Sequence, residues 1–139
     1  RVEAKPEPPH ADGHGPRLRV LVVDDEADAA NTLTELLSLY GHDARSAGDG
    51  PAALAEARAL RPDVVLLDLG LPNMDGYEVA RQLREEHGPS VRIVAITGYQ
   101  RDDERLERAG FDHHVIKPPE IQGLLAWLQS NHGARAQES

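Results

Sequence analysis

Apolar residues in this chain recur with two different periods. Nearly continuous runs occur at Leu18 to Val23, Val64 to Leu67, Val91 to Ile96 and Val115-Ile116. Such runs read as strands buried on both faces. Between them apolar residues return every three or four positions, the spacing of amphipathic helices. Ala30, Leu33, Leu37 and Tyr40 predict a helix that Gly41 stops. A weak strand follows around His42–Ala47, and Gly48-Asp49-Gly50 reads as a turn. Pro51 suits the first turn of an alanine-rich helix that runs to Leu60, where Arg61-Pro62-Asp63 breaks it. The loop Gly70 to Gly76 leads into a helix ending near His87 that carries Val79, Leu83 and the stem of Arg84.

The stretch Tyr99 to Ala109 holds seven charged residues, with only Leu106 and Ala109 as an apolar face. It is expected to be the least firmly docked helix, because packing holds most helices in place. A last helix from Glu120 has the stripe Ile121, Leu124, Leu125 and Leu128, with Trp127 beside it, at the core edge or exposed to a partner. Strict alternation of strand and helix predicts an α/β fold. The expected form is a flavodoxin-like doubly wound parallel sheet of five strands, order 2-1-3-4-5, with five helices. Residues 1–16 are rich in Pro, Gly, His and charge and read as a flexible linker. That places the folded domain at 17–130 and a disordered tail at 131–139.

The net charge is −9, from 24 acidic against 15 basic residues, which disfavours direct contact of the domain with nucleic acid. Cysteine is absent, so disulfides and thiolate metal sites are excluded, in keeping with a reducing, cytoplasmic setting. No apolar stretch approaches the roughly 18 residues that suggest a membrane span, so no membrane contact is expected.

Each strand run ends on a residue suited to a metal or to phosphate: Asp24-Asp25, Asp68, Thr97 and Lys117. In an open parallel sheet the carboxyl ends share one edge, where ligands bind. Crowded carboxylates repel one another unless a cation lies between them, and Mg²⁺ favours one or two carboxylates plus phosphate oxygens. Taken singly, these residues have ordinary alternatives. Asp25 suits a helix N-cap with Asp28 three residues on, and Asp68 suits an Asx-turn. Thr97 suits a plain β-branched strand position, and Lys117 a solvated surface. A strand-end Asp beside a metal is also a nucleophile able to form an aspartyl phosphate. Thr97 could then bond a phosphoryl oxygen, and Lys117 could pair with Asp68 and later with the phosphoryl group.

These motifs closely resemble the receiver domain of two-component phosphorelays, over essentially Leu18 to Leu128. The resemblance rests on Val22-Val23-Asp24-Asp25-Glu26, Leu66-Leu67-Asp68-Leu69, Leu71-Pro72-Asn73-Met74-Asp75-Gly76-Tyr77, Ile96-Thr97-Gly98 and Lys117-Pro118. It implies that Asp68 is the phosphoacceptor. Asp25 and the Gly70 carbonyl would bind Mg²⁺ directly, with Asp24 acting through water. Thr97 and Lys117 would hold the phosphoryl oxygens, with a cis Lys117–Pro118 bond. His114 stands where receivers place a switch aromatic, so Thr97 and His114 would form the switch. Its neighbour His113 should face the other way, since adjacent strand residues alternate. Gly70 and Tyr99 are expected to tune phosphate lifetime.

The same resemblance implies a histidine kinase or histidine phosphotransfer partner, and a possible homodimer through the face of the fourth and fifth helices. It also implies that the domain catalyses its own phosphorylation and dephosphorylation. The wording around Phe111 to Pro118 looks most like receivers fused behind hybrid sensor kinases. The linker ahead of the domain agrees, and a transcription regulator is expected to carry an output domain after Gln129. The alternatives are a stand-alone single-domain response regulator and a receiver that docks without phosphorylation. A haloacid-dehalogenase-type phosphatase is disfavoured because Gly70, not a second Asp, follows two residues after Asp68.

Overall fold

In the computed structural model the described residues are 17–69, 75–98, 103–116 and 120–131. The sheet consists of β1 (Arg19–Val23), β2 (Asp43–Ala47), β3 (Val64–Asp68), β4 (Arg92–Thr97) and β5 (His113–Ile116). The helices between and after them are α1 (Ala27–Leu39), α2 (Gly50–Leu60), α3 (Gly76–His87), α4 (Asp103–Ala109) and α5 (Ile121–Asn131). All strand pairs are parallel, in the order β2-β1-β3-β4-β5. The expected architecture and strand order are therefore present. The segment 1–16 expected as a linker lies outside the described residues, as does most of the expected tail. Helix α5 runs to Asn131, one residue past the expected domain end.

Central β3 is buried along its whole length, whereas edge strand β2 (Asp-Ala-Arg-Ser-Ala) is largely exposed, hence its faint apolar signal. Alternate strand residues serve two cores. Val20, Val22, Val64, Leu66, Val94 and Ile96 pack beneath α1 and α5, with Leu37, Leu124 and Leu128. Leu21, Val23, Val65, Leu67, Ile93 and Ala95 pack against α2, α3 and α4, with Leu83 and Leu106. Asp49 caps α2 by accepting the Ala52 N–H at 2.8 Å, and Pro51 lies in its first turn. The alternative of Asp25 as a helix cap is not realised. Glu26 occupies the N-cap of α1, and the Asp24 carboxylate accepts its N–H at 2.9 Å.

Helix α4 is seven residues long and buries Leu106 and Ala109, the two apolar positions of its expected face. Among the described residues, no helix is long and apolar enough to cross a membrane.

Candidate functional site: the carboxyl edge of the sheet

Strands β1 and β3 are neighbours, so their ends bring Asp24, Asp25 and Asp68 together. One carboxylate oxygen from each lies within 4.8 Å of the others. Among the described residues this is the one group of three or more His, Cys, Asp or Glu side chains so arranged. Asp24 is buried and held from both sides: its N–H donates to the Ala47 carbonyl at 3.0 Å, and its carboxylate accepts the Glu26 N–H. Asp25 is exposed. Asp68 is 4 % exposed at the tip of β3, where the Leu69 N–H donates to the Ile96 carbonyl at 3.2 Å. Two shielded carboxylates facing an exposed one make an all-oxygen, solvent-open donor set, which fits a hard divalent cation such as Mg²⁺.

Thr97 ends β4, beside Asp68 in the sheet, and is 3 % exposed. Its hydroxyl donates to the Val115 carbonyl of β5 at 3.5 Å, a long contact. Ile116 pairs with Thr97, so the chain leaves β5 at the same edge. Lys117, the Lys117–Pro118 bond, Gly70 and Tyr99 lie outside the described residues. His114 pairs with Ala95, which belongs to the α2–α3–α4 side, and lines a cavity of about 280 Å³ with Glu104, Glu107 and Phe111. His113 turns toward α5 and stacks on Trp127 with ring centroids 4.8 Å apart. Burial, with the adjacent His114, pushes the His113 pKa down. Trp127 is thus half-buried at the core edge and engaged within the chain.

Sequence reading missed two arginine networks. Arg84 contributes far more than its stem: its guanidinium donates to the carbonyls of Gly88, Val91 and Gly110 at 2.9, 2.6 and 2.6 Å. It also donates to Asp112 at 2.8 Å. Arg105 pairs with Asp75 at 3.0 Å and lies 3.9 Å from the Tyr77 ring centroid. Neither network leaves a local signature, because Gly110 and Asp112 lie 26 and 28 positions from Arg84, and Asp75 lies 30 from Arg105.

The response regulator receiver domain family model matches residues 20–129. The chain belongs to that family. This receiver domain is 45 % identical over 115 residues to the DNA-binding response regulator MtrA of Mycolicibacterium paratuberculosis, covering 82 % of this chain and 51 % of MtrA. It is 38 % identical over 118 residues to the probable transcriptional regulatory protein TcrX of Mycobacterium tuberculosis, covering 84 % and 50 %. The receiver therefore spans about half the length of these curated relatives. A CheY-like receiver domain protein from Methanospirillum hungatei superimposes with a TM-score of 0.82 at 22 % identity, covering 89 % of this chain and all of that one, a likeness of fold. Chemotaxis protein CheY4 of Vibrio cholerae gives 0.76 at 27 % identity, covering 83 % and 98 %.

Proposed function

We propose that this receiver accepts a phosphoryl group on Asp68 from a phosphohistidine of a kinase or phosphotransfer protein. The observation that carries the reading is the convergence of Asp24, Asp25 and Asp68 within 4.8 Å, beside the buried Thr97 hydroxyl. An Asp68 oxygen attacks phosphorus, the O–P bond forms as the N–P bond breaks, and the freed imidazole nitrogen takes a proton from solvent. Asp25, Asp68 and the Gly70 carbonyl would hold Mg²⁺, with Asp24 acting through water. The ion would neutralise charge on the transferring group. Thr97 and Lys117 bind phosphoryl oxygens, and Thr97 with His114 forms the switch. The domain thereby catalyses its own phosphorylation and hydrolysis.

The relatives are named as a DNA-binding response regulator and a transcriptional regulatory protein. They favour a response regulator separate from its kinase over the kinase fusion suggested by the wording around Phe111 to Pro118. The net charge of −9 argues that the receiver surface itself does not contact DNA. A cytoplasmic location, where phosphohistidine is made from ATP, belongs to the same reading. So do residues 17–130 as the domain, with 1–16 as linker and 131–139 as tail. Self-association through the α4–α5 face also belongs to it.

Acetyl phosphate with Mg²⁺ should label one carboxylate, stable to acid and labile to base, and peptide mapping should place it on Asp68. Uptake at the normal rate by Asp68→Asn would refute the assignment.

A further inference from the structure

The geometry points to Arg105 as a positioning residue that latches α4 against the first turn of α3, and that releases α4 when the site is phosphorylated. The inference rests on the receiver reading for its trigger; the latch itself stands on contacts in the resting chain. Helix α4 is fastened differently at its two ends. Its C-terminal end is pinned: Gly110, at φ +96°, gives its carbonyl to Arg84, and Asp112 accepts from both Arg84 and the Ile93 N–H. A side chain at Gly110 would put its Cβ 3.2 Å from the Arg84 Nε. This end forms a tight pivot. The body of the helix has little to hold it: among its residues of described burial only Leu106 and Ala109 are buried, and Glu104, Arg105, Glu107 and Arg108 are exposed.

Arg105 supplies a second attachment. Its guanidinium pairs with the Asp75 carboxylate and covers the Tyr77 ring, which packs T-shaped with Phe111 at a centroid separation of 6.0 Å. Asp75 and Tyr77 open α3, where the other Asp75 oxygen accepts the Tyr77 N–H at 2.8 Å. Between them, Gly76 packs so closely that an added Cβ would lie 2.9 Å from the Leu69 Cα and 3.3 Å from the Asp68 carbonyl oxygen. The first turn of α3 thus touches the backbone of the phosphoacceptor with one residue and grips α4 with the two beside it. A displacement of Asp68 and Leu69 has no slack to absorb it at Gly76 and is passed to the Arg105 contact. That contact is exposed and ionic, so it is weak enough to open.

Amide hydrogen exchange over residues 103–109 tests this in the unphosphorylated chain. Arg105→Ala should speed exchange about three- to tenfold at low salt, the range expected from losing the exposed Asp75 ion pair together with the Tyr77 cation–π contact. The β3 and β4 amides should not change. Arg105→Lys should recover part of the protection, and Asp75→Asn, which keeps a capping oxygen, should reproduce the loss. Raising NaCl to 500 mM should bring the wild type close to Arg105→Ala. Equal α4 exchange in wild type and Arg105→Ala at low salt, or the same salt response in both, would overturn the latch. Beryllofluoride with Mg²⁺ should loosen wild-type α4 to the level of Arg105→Ala. Beryllofluoride bound at Asp68, seen by fluorine NMR, with no change in α4 would overturn the release. Absence of any bound beryllofluoride would instead count against the receiver reading, while the salt comparison still judges the latch.

Discussion

The Thr97 hydroxyl, buried yet 3.5 Å from its acceptor, is held loosely enough to be re-aimed. Thr97→Val keeps the volume and removes only that weak bond, so stability should change by less than about 1 kcal/mol. Phosphorylation should then no longer loosen α4. A melting curve together with exchange at residues 103–109, with and without acetyl phosphate, separates the two effects. Gly76 behaves oppositely. Alanine normally stabilises a helical position relative to glycine, but here its Cβ would stand 2.9 Å from the Leu69 Cα. Gly76→Ala should cost about 1–3 kcal/mol by overpacking, read as a lower urea midpoint. Asp24, Asp25, Asp68 and Thr97 were legible in the sequence because each follows an apolar run, and the sheet edge gathers what such runs end on. Arg105 was not, because it is one of seven charges in its stretch and its partners come from another element.

Elements were legible wherever burial imposes a pattern. Strands β1, β3 and β4 are nearly wholly buried and stand out, whereas β2 is an exposed edge and β5 is only partly buried. How the elements fasten to each other was less visible, since polar ties carry no periodicity. Arg84 joins the end of α3 to the starts of β4 and β5, half-buried, and burial pushes its pKa down without discharging it near neutrality. Arg84→Met would leave the Val91 and Gly110 carbonyls and the Asp112 carboxylate without this donor. The cost should be about 3 kcal/mol, as for breaking a shielded ion pair from one side. Arg58 makes an equally short pair with Glu86 at 2.7 Å, but in open solvent. Arg58→Ala should leave the urea midpoint near that of the wild type. Comparing the two midpoints distinguishes a tie between elements from surface decoration.

At the scale of the whole molecule, pH and metal act on different ends of the charge distribution. His87 and His113 both have pKa values pushed down chiefly by burial; for His87, Arg61 and Arg58 add to this and Glu86 opposes it. Between the ordinary histidine value of about 6.5 and these lowered values, the unfolded chain binds more protons than the folded one. Their contribution to stability is therefore complete above about pH 6.5 and is lost as pH falls below it. Urea midpoints should drop between pH 7.5 and 5.5, and His87→Gln with His113→Gln should flatten that drop. At the carboxyl edge, three carboxylates within 4.8 Å repel one another in a chain already at −9. A divalent cation that binds only the folded arrangement adds stability by mass action, about 2.7 kcal/mol at 100 times its dissociation constant. For a domain of this size that corresponds to a melting temperature roughly 10 °C higher. Chelation should remove the gain, and Na⁺ at matched ionic strength should not restore it. Asp25→Ala discriminates ligation from general screening, because it deletes an exposed acid whose loss relieves repulsion. Without metal the variant should melt at or above the wild-type temperature; with Mg²⁺ it should fall below it. A Mg²⁺ shift of equal size in both proteins would show that the ion acts on net charge rather than at the strand ends.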